Sequence, residues 1–176
     1  MPFLIDSKAT IKAAIINAKK SAPDSVLINF HKAFNKPVTY NIPYSKGYPA
    51  DGARTLVNGY RGTLTYQDGQ WQGFITNMDV VIDLQKVDTI HLVQANFMQI
   101  IGPGVYMPKY IEVQTSLDGI NYTNQGRDNN VVSPTESSLR FKDFKIPIMF
   151  VRSKIMINKA EIILITATIN IKIKMI

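Results

Sequence analysis

Apolar and polar residues alternate with a period of two in several short segments of this sequence, and turn-forming residues separate the segments. A period of two is that of a β-strand with one buried face, whereas an amphipathic helix repeats every 3.6 residues. Residues 79–84 show the alternation most simply, since Val80, Ile82 and Leu84 share one face. The pattern therefore predicts half-buried strands and a sheet-based fold.

A β-hairpin is predicted where a second alternating segment, residues 109–115, runs into Asp118-Gly119. This dipeptide tolerates positive φ and turns the chain into a further strand near Tyr122. We expect one face of the first strand to be buried and the other to point outward. The inward residues are Ile111, Val113 and Thr115, and the outward residues are Tyr110, Glu112 and Gln114.

Residues 86–97 are largely apolar on both faces, which is typical of a strand inside a sandwich. Many short strands without intervening amphipathic helices favour an antiparallel arrangement. The predicted fold class is all-β, an antiparallel β-sandwich of jelly-roll type.

The N-terminal segment is predicted to be a separate unit. Residues 9–16 and 25–30 have the composition of two strands joined by a polar turn, although residues 8–20 could also form a helix. A lone hairpin is only marginally stable in water. We therefore interpret residues 1–32 as a linker or as the remnant of a preceding small β-sandwich domain.

The composition excludes several classes of function. Without cysteine the chain has neither a disulfide nor a thiolate metal site, and no long apolar run suggests membrane insertion. The net charge is +7, but residues 147–176 hold five Lys and Arg against one acid, and basic residues do not cluster with aromatic ones. No nucleic-acid partner is expected. His31 and His91 are interpreted as structural, and no catalytic motif is present.

Seven segments together carry a resemblance to a known family. The segments are YPADG (48–52), LVNGYRG (56–62), DGQWQGF (68–74), MDVVIDL (78–84), FMQ (97–99), GPGVYMP (102–108) and VQTSLDG (113–119). In this order and spacing, they resemble the discoidin domain (coagulation factor five/eight type C, galactose-binding-like) at the C-terminus of Bacteroides-type β-N-acetylhexosaminidases, or chitobiases. The resemblance covers residues 33–152.

The resemblance implies an accessory domain without an active site. The parent would be an exported family 20 glycoside hydrolase, periplasmic or on the cell surface, whose catalytic domain lies outside this sequence. The implied partners are that catalytic domain and a glycan containing N-acetylhexosamine or galactose. Two alternatives stay open: a structural spacer that packs on the catalytic domain, and a protein or phospholipid adhesion module with apolar spikes. The candidate spikes are Met98, Ile100, Ile101 and Val105.

The long segment from Tyr40 to Trp71 is rich in Gly, Pro, Tyr, Asp and Asn and is the first place to seek a ligand site. Saccharides bind through aromatic rings that stack on the sugar and polar groups that meet its hydroxyls. Trp71 could instead pack beneath the loops. The candidate sugar-binding residues are Tyr44, Arg61, Tyr66, Asp68, Trp71 and Tyr106.

A structural Ca²⁺ ion is implied by the resemblance, in the loop 56–63, where irregular backbone supplies the oxygen ligands that this ion prefers. Asn58 stands where the family has aspartate, which removes a charge from the site; the alternative is a turn without metal. The candidate ligands are Leu56, Asn58, Tyr60, Thr63 and Glu161.

The resemblance fails after Phe150-Val151-Arg152. Residues 153–176 contain nine isoleucines and no Gly, Pro, Asp or aromatic residue, whereas the family has a turn and an aromatic-acidic closing strand. We interpret this stretch as an atypical tail, and a frameshift in the gene would account for it.

Overall fold

The structure is a computed structural model that describes the backbone of residues 9–13, 24–28, 30–157, 165–166 and 174–175, and the side chains of residues 30–148. Its regular elements are ten strands and one short 3-10 helix at Gly52–Val57. The strands are β1 (Ala9–Ala13), β2 (Asp24–Ile28), β3 (Val38–Tyr40), β4 (Val80–Ile82), β5 (Asp88–Gln99), β6 (Tyr110–Ser116), β7 (Thr123–Asn129), β8 (Arg140–Ile157), β9 (Ile165–Thr166) and β10 (Lys174–Met175). The predicted all-β class is confirmed.

All strand pairs are antiparallel, and β8 connects the two parts of the sandwich. Its first portion pairs with β5, from Arg140 opposite Gln99 to Ser153 opposite Asp88. The remaining residues, Lys154–Ile157, pair with β6, and the last three of them also pair with β4. The strand β3 pairs with β4, β7 pairs with β6, and the short strands β9 and β10 pair with β5 and β6.

The alternating segments form the core as predicted. Val80, Ile82 and Leu84 are buried, as are Ile111 and Val113 of β6. Phe97 of β5 packs edge-on against Phe144 of β8, with ring centroids 5.1 Å apart. Removing these apolar surfaces from water is the main force that holds the two layers together.

Three long connections lie at one end of the sandwich, which we call the loop rim: residues 41–79, 100–109 and 130–139. The first connection begins after Tyr40 and ends before Val80, and these two residues lie opposite each other. The connection therefore leaves and returns at the same end of the sandwich. The other two lie beside each other, because Gln99 lies opposite Arg140 and Tyr110 lies opposite Asn129. They meet the first connection where Trp71 packs with Val105. The connections at the other end, residues 83–87 and 117–122, are short.

The N-terminal segment forms a hairpin, and β1 pairs with β2 from Ala9 opposite Ile28 to Ala13 opposite Asp24. The segment therefore contains two strands, and residues 9–13, for which a helix was the alternative, form a strand. Lys32, the last residue of the N-terminal segment, forms an ion pair with Asp88 of β5 at 2.6 Å and also donates to the carbonyl of Thr89.

Two strand residues differ from the predicted pattern. Glu112, predicted to point outward, is only 7% exposed, because Arg127 lies directly opposite it on β7 and covers its carboxylate at 2.8 Å. Leu92, predicted inside, is half-exposed, and the pairing of β5 with β8 shifts register between Ile90 and Leu92.

The atypical tail is described only in part: the backbone of residues 153–157, β9 and β10. The candidate calcium ligand Glu161 lies outside the described residues. No helix in the described part of the chain has the length and apolar character needed to cross a membrane.

Candidate functional site

A surface pocket of about 380 Å³ opens at the loop rim between the connections 100–109 and 130–139. Ligand pockets in proteins commonly begin at about 300 Å³, so the space is sufficient for one small ligand. We call it the Tyr106 pocket. Its lining residues are Gln99, Tyr106, Met107, Lys109, Asn130, Val132 and Pro134.

Gln99, the last residue of β5, ties the two walls of this pocket together. The side chain is 1% exposed, and its amide nitrogen donates to the carbonyls of Ser133 at 2.8 Å and Glu136 at 3.3 Å. Its amide oxygen accepts from the backbone N–H of Met107 at 3.4 Å. Because a buried amide that loses its partners is costly, this residue holds both connections in one arrangement.

Each wall also has hydrogen bonds of its own. Ile100 and Val105 exchange two backbone hydrogen bonds, which close the turn that precedes Tyr106. On the facing wall, the backbone N–H of Asn130 donates to the carbonyl of Lys109 at 2.8 Å. The Asn130 side chain bonds both the N–H and the carbonyl of Val132. The pocket is therefore formed before any ligand arrives.

Tyr106 is the one predicted sugar-binding residue that lines this pocket. It is 39% exposed, so part of its ring is accessible, and the pocket walls beside it include Met107, Val132 and Pro134. Lys109 brings a cationic group to the same pocket. An accessible aromatic ring between apolar walls, together with the ammonium group of Lys109, is suited to a flat ligand with one apolar face.

Trp71 lies in the interior. It is 1% exposed, stacks on Phe141 with ring centroids 5.6 Å apart, and packs with Met98 and Val105. Its indole N–H donates to the carbonyl of Thr63 at 3.0 Å. Both faces of the Trp71 ring are therefore covered by protein, and neither is accessible to a sugar. This position matches the alternative role given in the sequence analysis, in which Trp71 packs beneath the loops.

Asp68 and Tyr66 belong to the same supporting layer. The two carboxylate oxygens of Asp68 accept from the backbone N–H groups of Thr63 at 2.6 Å and Gln70 at 2.8 Å, which closes the loop 63–70. Tyr66 packs partly buried beside the Trp71 cluster and lies 6.1 Å from the ring of Tyr48. The structure thus gives Asp68 a loop-closing role.

Arg61 and Tyr44 lie apart from the Tyr106 pocket. Arg61 forms an ion pair with Asp143 at 2.8 Å, and that carboxylate also accepts from Asn96. Tyr44 lines a smaller pocket of about 280 Å³ with Lys46 and Ile75, and its ring packs edge-on against Tyr40. The six predicted residues therefore do not form one site.

The connection 41–79 is anchored by Tyr40 and Gln72. Burial raises the pKa of the Tyr40 hydroxyl above its ordinary value, and that hydroxyl donates to the side-chain oxygen of Gln72 at 2.8 Å. The Gln72 amide nitrogen in turn donates to the carbonyl of Gly52 at 2.8 Å. These bonds fix the start of the 3-10 helix and hence the loop 56–63.

The loop predicted to hold calcium contains oxygen donors of a suitable kind. The Asn58 side-chain oxygen accepts from the N–H of Tyr60 at 3.0 Å, and its nitrogen donates to Asp51 at 3.2 Å. A carboxylate, that of Asp51, is therefore adjacent to the Asn58 side chain. Leu56 is buried, and the Thr63 carbonyl accepts from Trp71. Among the described residues, no group of three or more His, Cys, Asp or Glu side chains could hold a metal ion.

The residues that the sequence does not reveal are the ones that shape the pocket, Gln99, Lys109, Asn130 and Val132. Only Gln99 has a local signal, because it is a polar residue at the end of the apolar run in β5. The others lie in connections whose spatial pairing depends on the register of β6 with β7.

The four candidate apolar spikes differ in exposure. Met98 and Val105 are buried, and Ile100 and Ile101 are partly covered. In the described loop rim, the most exposed large aliphatic residues are Leu64, Ile75 and Val131.

Neither the models of known protein families nor the curated proteins give a match to this chain. The discoidin resemblance therefore remains a prediction from the sequence motifs, and the geometry of the loop rim is the basis for assigning a function.

Proposed function

We propose that this chain is a non-catalytic carbohydrate-binding domain and that the Tyr106 pocket is its saccharide site. The observation that carries the proposal is a half-exposed tyrosine in a pocket whose two walls are tied by one buried side chain, Gln99. A site built in this way loses little conformational entropy when a ligand binds.

The chemistry of the pocket fits a sugar better than a strongly charged ligand. Tyr106 offers a ring for the C–H face of a pyranose, and Met107, Val132 and Pro134 contribute further apolar surface. Lys109 is the one ionisable side chain of the lining besides the Tyr106 phenol. This mostly apolar lining, with few charged groups, matches a neutral ligand that has an apolar face and a few hydroxyls.

The motif resemblance supplies the wider proposal. The domain would belong to an exported glycoside hydrolase related to β-N-acetylhexosaminidases, periplasmic or on the cell surface, and would contact the catalytic domain of that enzyme. It would raise the local concentration of glycan near the active site, which is an effective-concentration effect. The loop 56–63, with Asn58 and the adjacent Asp51, would hold a structural Ca²⁺ ion.

Calorimetric titration of the full chain with N-acetylglucosamine, galactose and their short oligomers tests the proposal. We expect binding at millimolar or tighter dissociation constants. Tyr106→Ala should weaken it about fivefold or more, since aromatic contacts contribute about 1 kcal/mol beyond their buried area. Tyr48→Ala is the matched control, because Tyr48 is 40% exposed and Tyr106 is 39% exposed.

Two results would contradict the proposal. One is the absence of binding across a broad array of glycans. The other is an equal loss of affinity in the Tyr106 and Tyr48 variants, since only the first residue lines the pocket.

A further inference from the structure

We infer that the hairpin of β1 and β2 docks on the end of the sandwich that carries the short turns and covers a row of apolar side chains there. This surface lies at the end opposite the Tyr106 pocket, so the inference does not depend on the proposed saccharide site. We call the row the apolar strip, and its residues are Phe30, Phe34, Val87, Leu117 and Ile120.

Three aliphatic side chains of the apolar strip lie in the two short turns and are largely open to solvent. Val87 is 53% exposed, Leu117 is 59% exposed and Ile120 is 80% exposed. A single exposed aliphatic residue is ordinary on a protein surface, whereas several close together mark an interaction site.

The two short turns are neighbours in space. Ile82 and Thr115, which shortly precede them, both lie opposite Ile155, so the turns leave from the strands on either side of β8. Burial raises the pKa of Tyr122 in the second turn, and the carboxylate of Asp83 in the first turn raises it further. An electrostatic effect of this kind requires that the two turns approach each other.

The N-terminal segment enters the sandwich at this same end. Lys32 pairs with the first residue of β5, and Lys36 donates to the side-chain oxygen of Gln85 at 3.3 Å. Phe30 and Phe34 are half-buried there, with ring centroids 4.5 Å apart. The apolar strip therefore begins where the chain enters, crosses the turn 83–87 and ends at the turn 117–122.

The dimensions of the hairpin match those of the apolar strip. The strands β3, β4, β8 and β6 lie side by side in this order, so the strip crosses three strand spacings, or about 14 Å. Each strand of the hairpin has five residues and is therefore about 17 Å long. The hairpin can span the strip along its length.

The hairpin itself needs a surface to pack against. Among the strands that the structure describes, β1 and β2 form a two-stranded sheet of their own, and such a hairpin is marginally stable in water. Ile11 lies opposite Val26, and Ala9 lies opposite Ile28. Because opposite residues share a face, the register assigns these four apolar residues to one face of the hairpin.

The covalent connection favours the hairpin over any other occupant of the apolar strip. Only one residue separates Ile28, the last of β2, from Phe30, the first residue of the strip. A short connection gives the tethered group an effective concentration in the millimolar range. A second copy of the chain reaches this concentration only in very concentrated solution.

A spin label on the hairpin tests where it lies. The chain has no cysteine, so Ser21→Cys, in the segment between β1 and β2, introduces the only thiol for labelling. In the docked arrangement this label lies near the far end of the strip. It should broaden the NMR amide signals of residues 117–122 and leave those of residues 100–109 at the loop rim sharp.

Leu117→Ser and Leu64→Ser form a matched pair of variants, because the two leucines are 59% and 67% exposed and lie at opposite ends of the sandwich. Hydrogen exchange of the amides in residues 9–13 and 24–28 reports docking. The first variant should speed this exchange roughly fivefold or more, since burial of the leucine is lost, and the second should leave it within about twofold of wild type. Urea unfolding verifies that both variants fold.

Three results would overturn the inference. The first is the absence of broadening in residues 117–122. The second is equal hydrogen exchange of the hairpin in the two leucine variants. The third is broadening of an isotope-labelled chain without the spin label when spin-labelled chain is added, because this would identify a second copy as the occupant.

Discussion

At the scale of single residues, a few buried polar side chains determine the shape of the loop rim. Gln99 joins two connections, Asp68 closes a loop, and Gln72 joins the 3-10 helix to Tyr40. The sequence predicts where the loops are, but polar residues that bond to distant backbone have no short-range pattern. For this reason, of the residues that line the pocket, the sequence suggested Tyr106 as a candidate but not Gln99.

Replacement of Gln99 by alanine should destabilise the protein by about 1–3 kcal/mol, because the carbonyls of Ser133 and Glu136 lose the donor that this buried side chain supplies. Urea unfolding measures the change. Gln67→Ala removes the same side chain from an exposed position and should stay within about 0.5 kcal/mol of wild type. Equal effects of the two changes would show that Gln99 does not hold the walls.

The variant Trp71→Phe tests whether Trp71 supports the loops by packing beneath them or contacts the saccharide directly. The smaller ring leaves a cavity beside Phe141 and removes the hydrogen bond to Thr63, so the free energy of unfolding should fall by about 1–3 kcal/mol. Saccharide affinity of the folded variant should stay within about twofold of wild type. A large loss of affinity with unchanged stability would instead indicate direct contact with the sugar.

At the scale of elements, the period-two alternation predicted β4 and β6, because it reports which face is buried. It did not predict that Glu112 would be covered, since this depends on Arg127 lying opposite it in the register of β6 and β7. That register shifts at Gly126, whose φ of 135° favours glycine, and the guanidinium of Arg127 also stacks on the Tyr110 ring at 3.8 Å. Long-range register is not encoded in any one segment.

The ion pair between Lys32 of the N-terminal segment and Asp88 of β5 should make the stability of the protein depend on pH. Hydrogen bonding to Lys32 lowers the pKa of Asp88 to about 2, from an ordinary value near 3.8. A lowered carboxyl pKa stabilises the fold above the ordinary value, and this stabilisation is lost as the pH falls from about 4 to 2.

Urea unfolding across this range checks the effect. Asp88→Asn should be less stable than wild type at neutral pH, and the difference should shrink between pH 4 and 2. Lys32→Met removes the other half of the pair and should show the same pH window. A difference that is constant from pH 7 to 2 would contradict the assignment of the pKa shift to this pair.

At the scale of the whole molecule, the sandwich has two unlike ends, with long connections and a pocket at one and short turns at the other. The sequence predicted the fold class and the location of the longest loop. It named six candidate sugar-binding residues, and the structure places Tyr106 and Tyr44 in two different pockets, Trp71 and Tyr66 in a packed cluster, and Arg61 in an exposed ion pair with Asp143. The candidate residues that lie near one another in the sequence, between residues 41 and 71, are therefore not all near one another in space.

Calcium should stabilise the whole domain if the loop 56–63 binds it. At tenfold the dissociation constant, binding to the folded state alone adds about 1.4 kcal/mol to the free energy of unfolding. Thermal unfolding with added Ca²⁺ and with chelator should therefore differ, and Asn58→Ala should reduce the difference. Identical midpoints in calcium and chelator would contradict the proposed ion.

The central claim is that a preformed pocket at the loop rim binds saccharide, and NMR titration of the isotope-labelled chain tests it most directly. On addition of N-acetylglucosamine we predict backbone shift changes concentrated in residues 99–109 and 130–136, with the turns at 83–87 and 117–122 unaffected. Shift changes confined to those turns, or none at saturating sugar, would contradict the account.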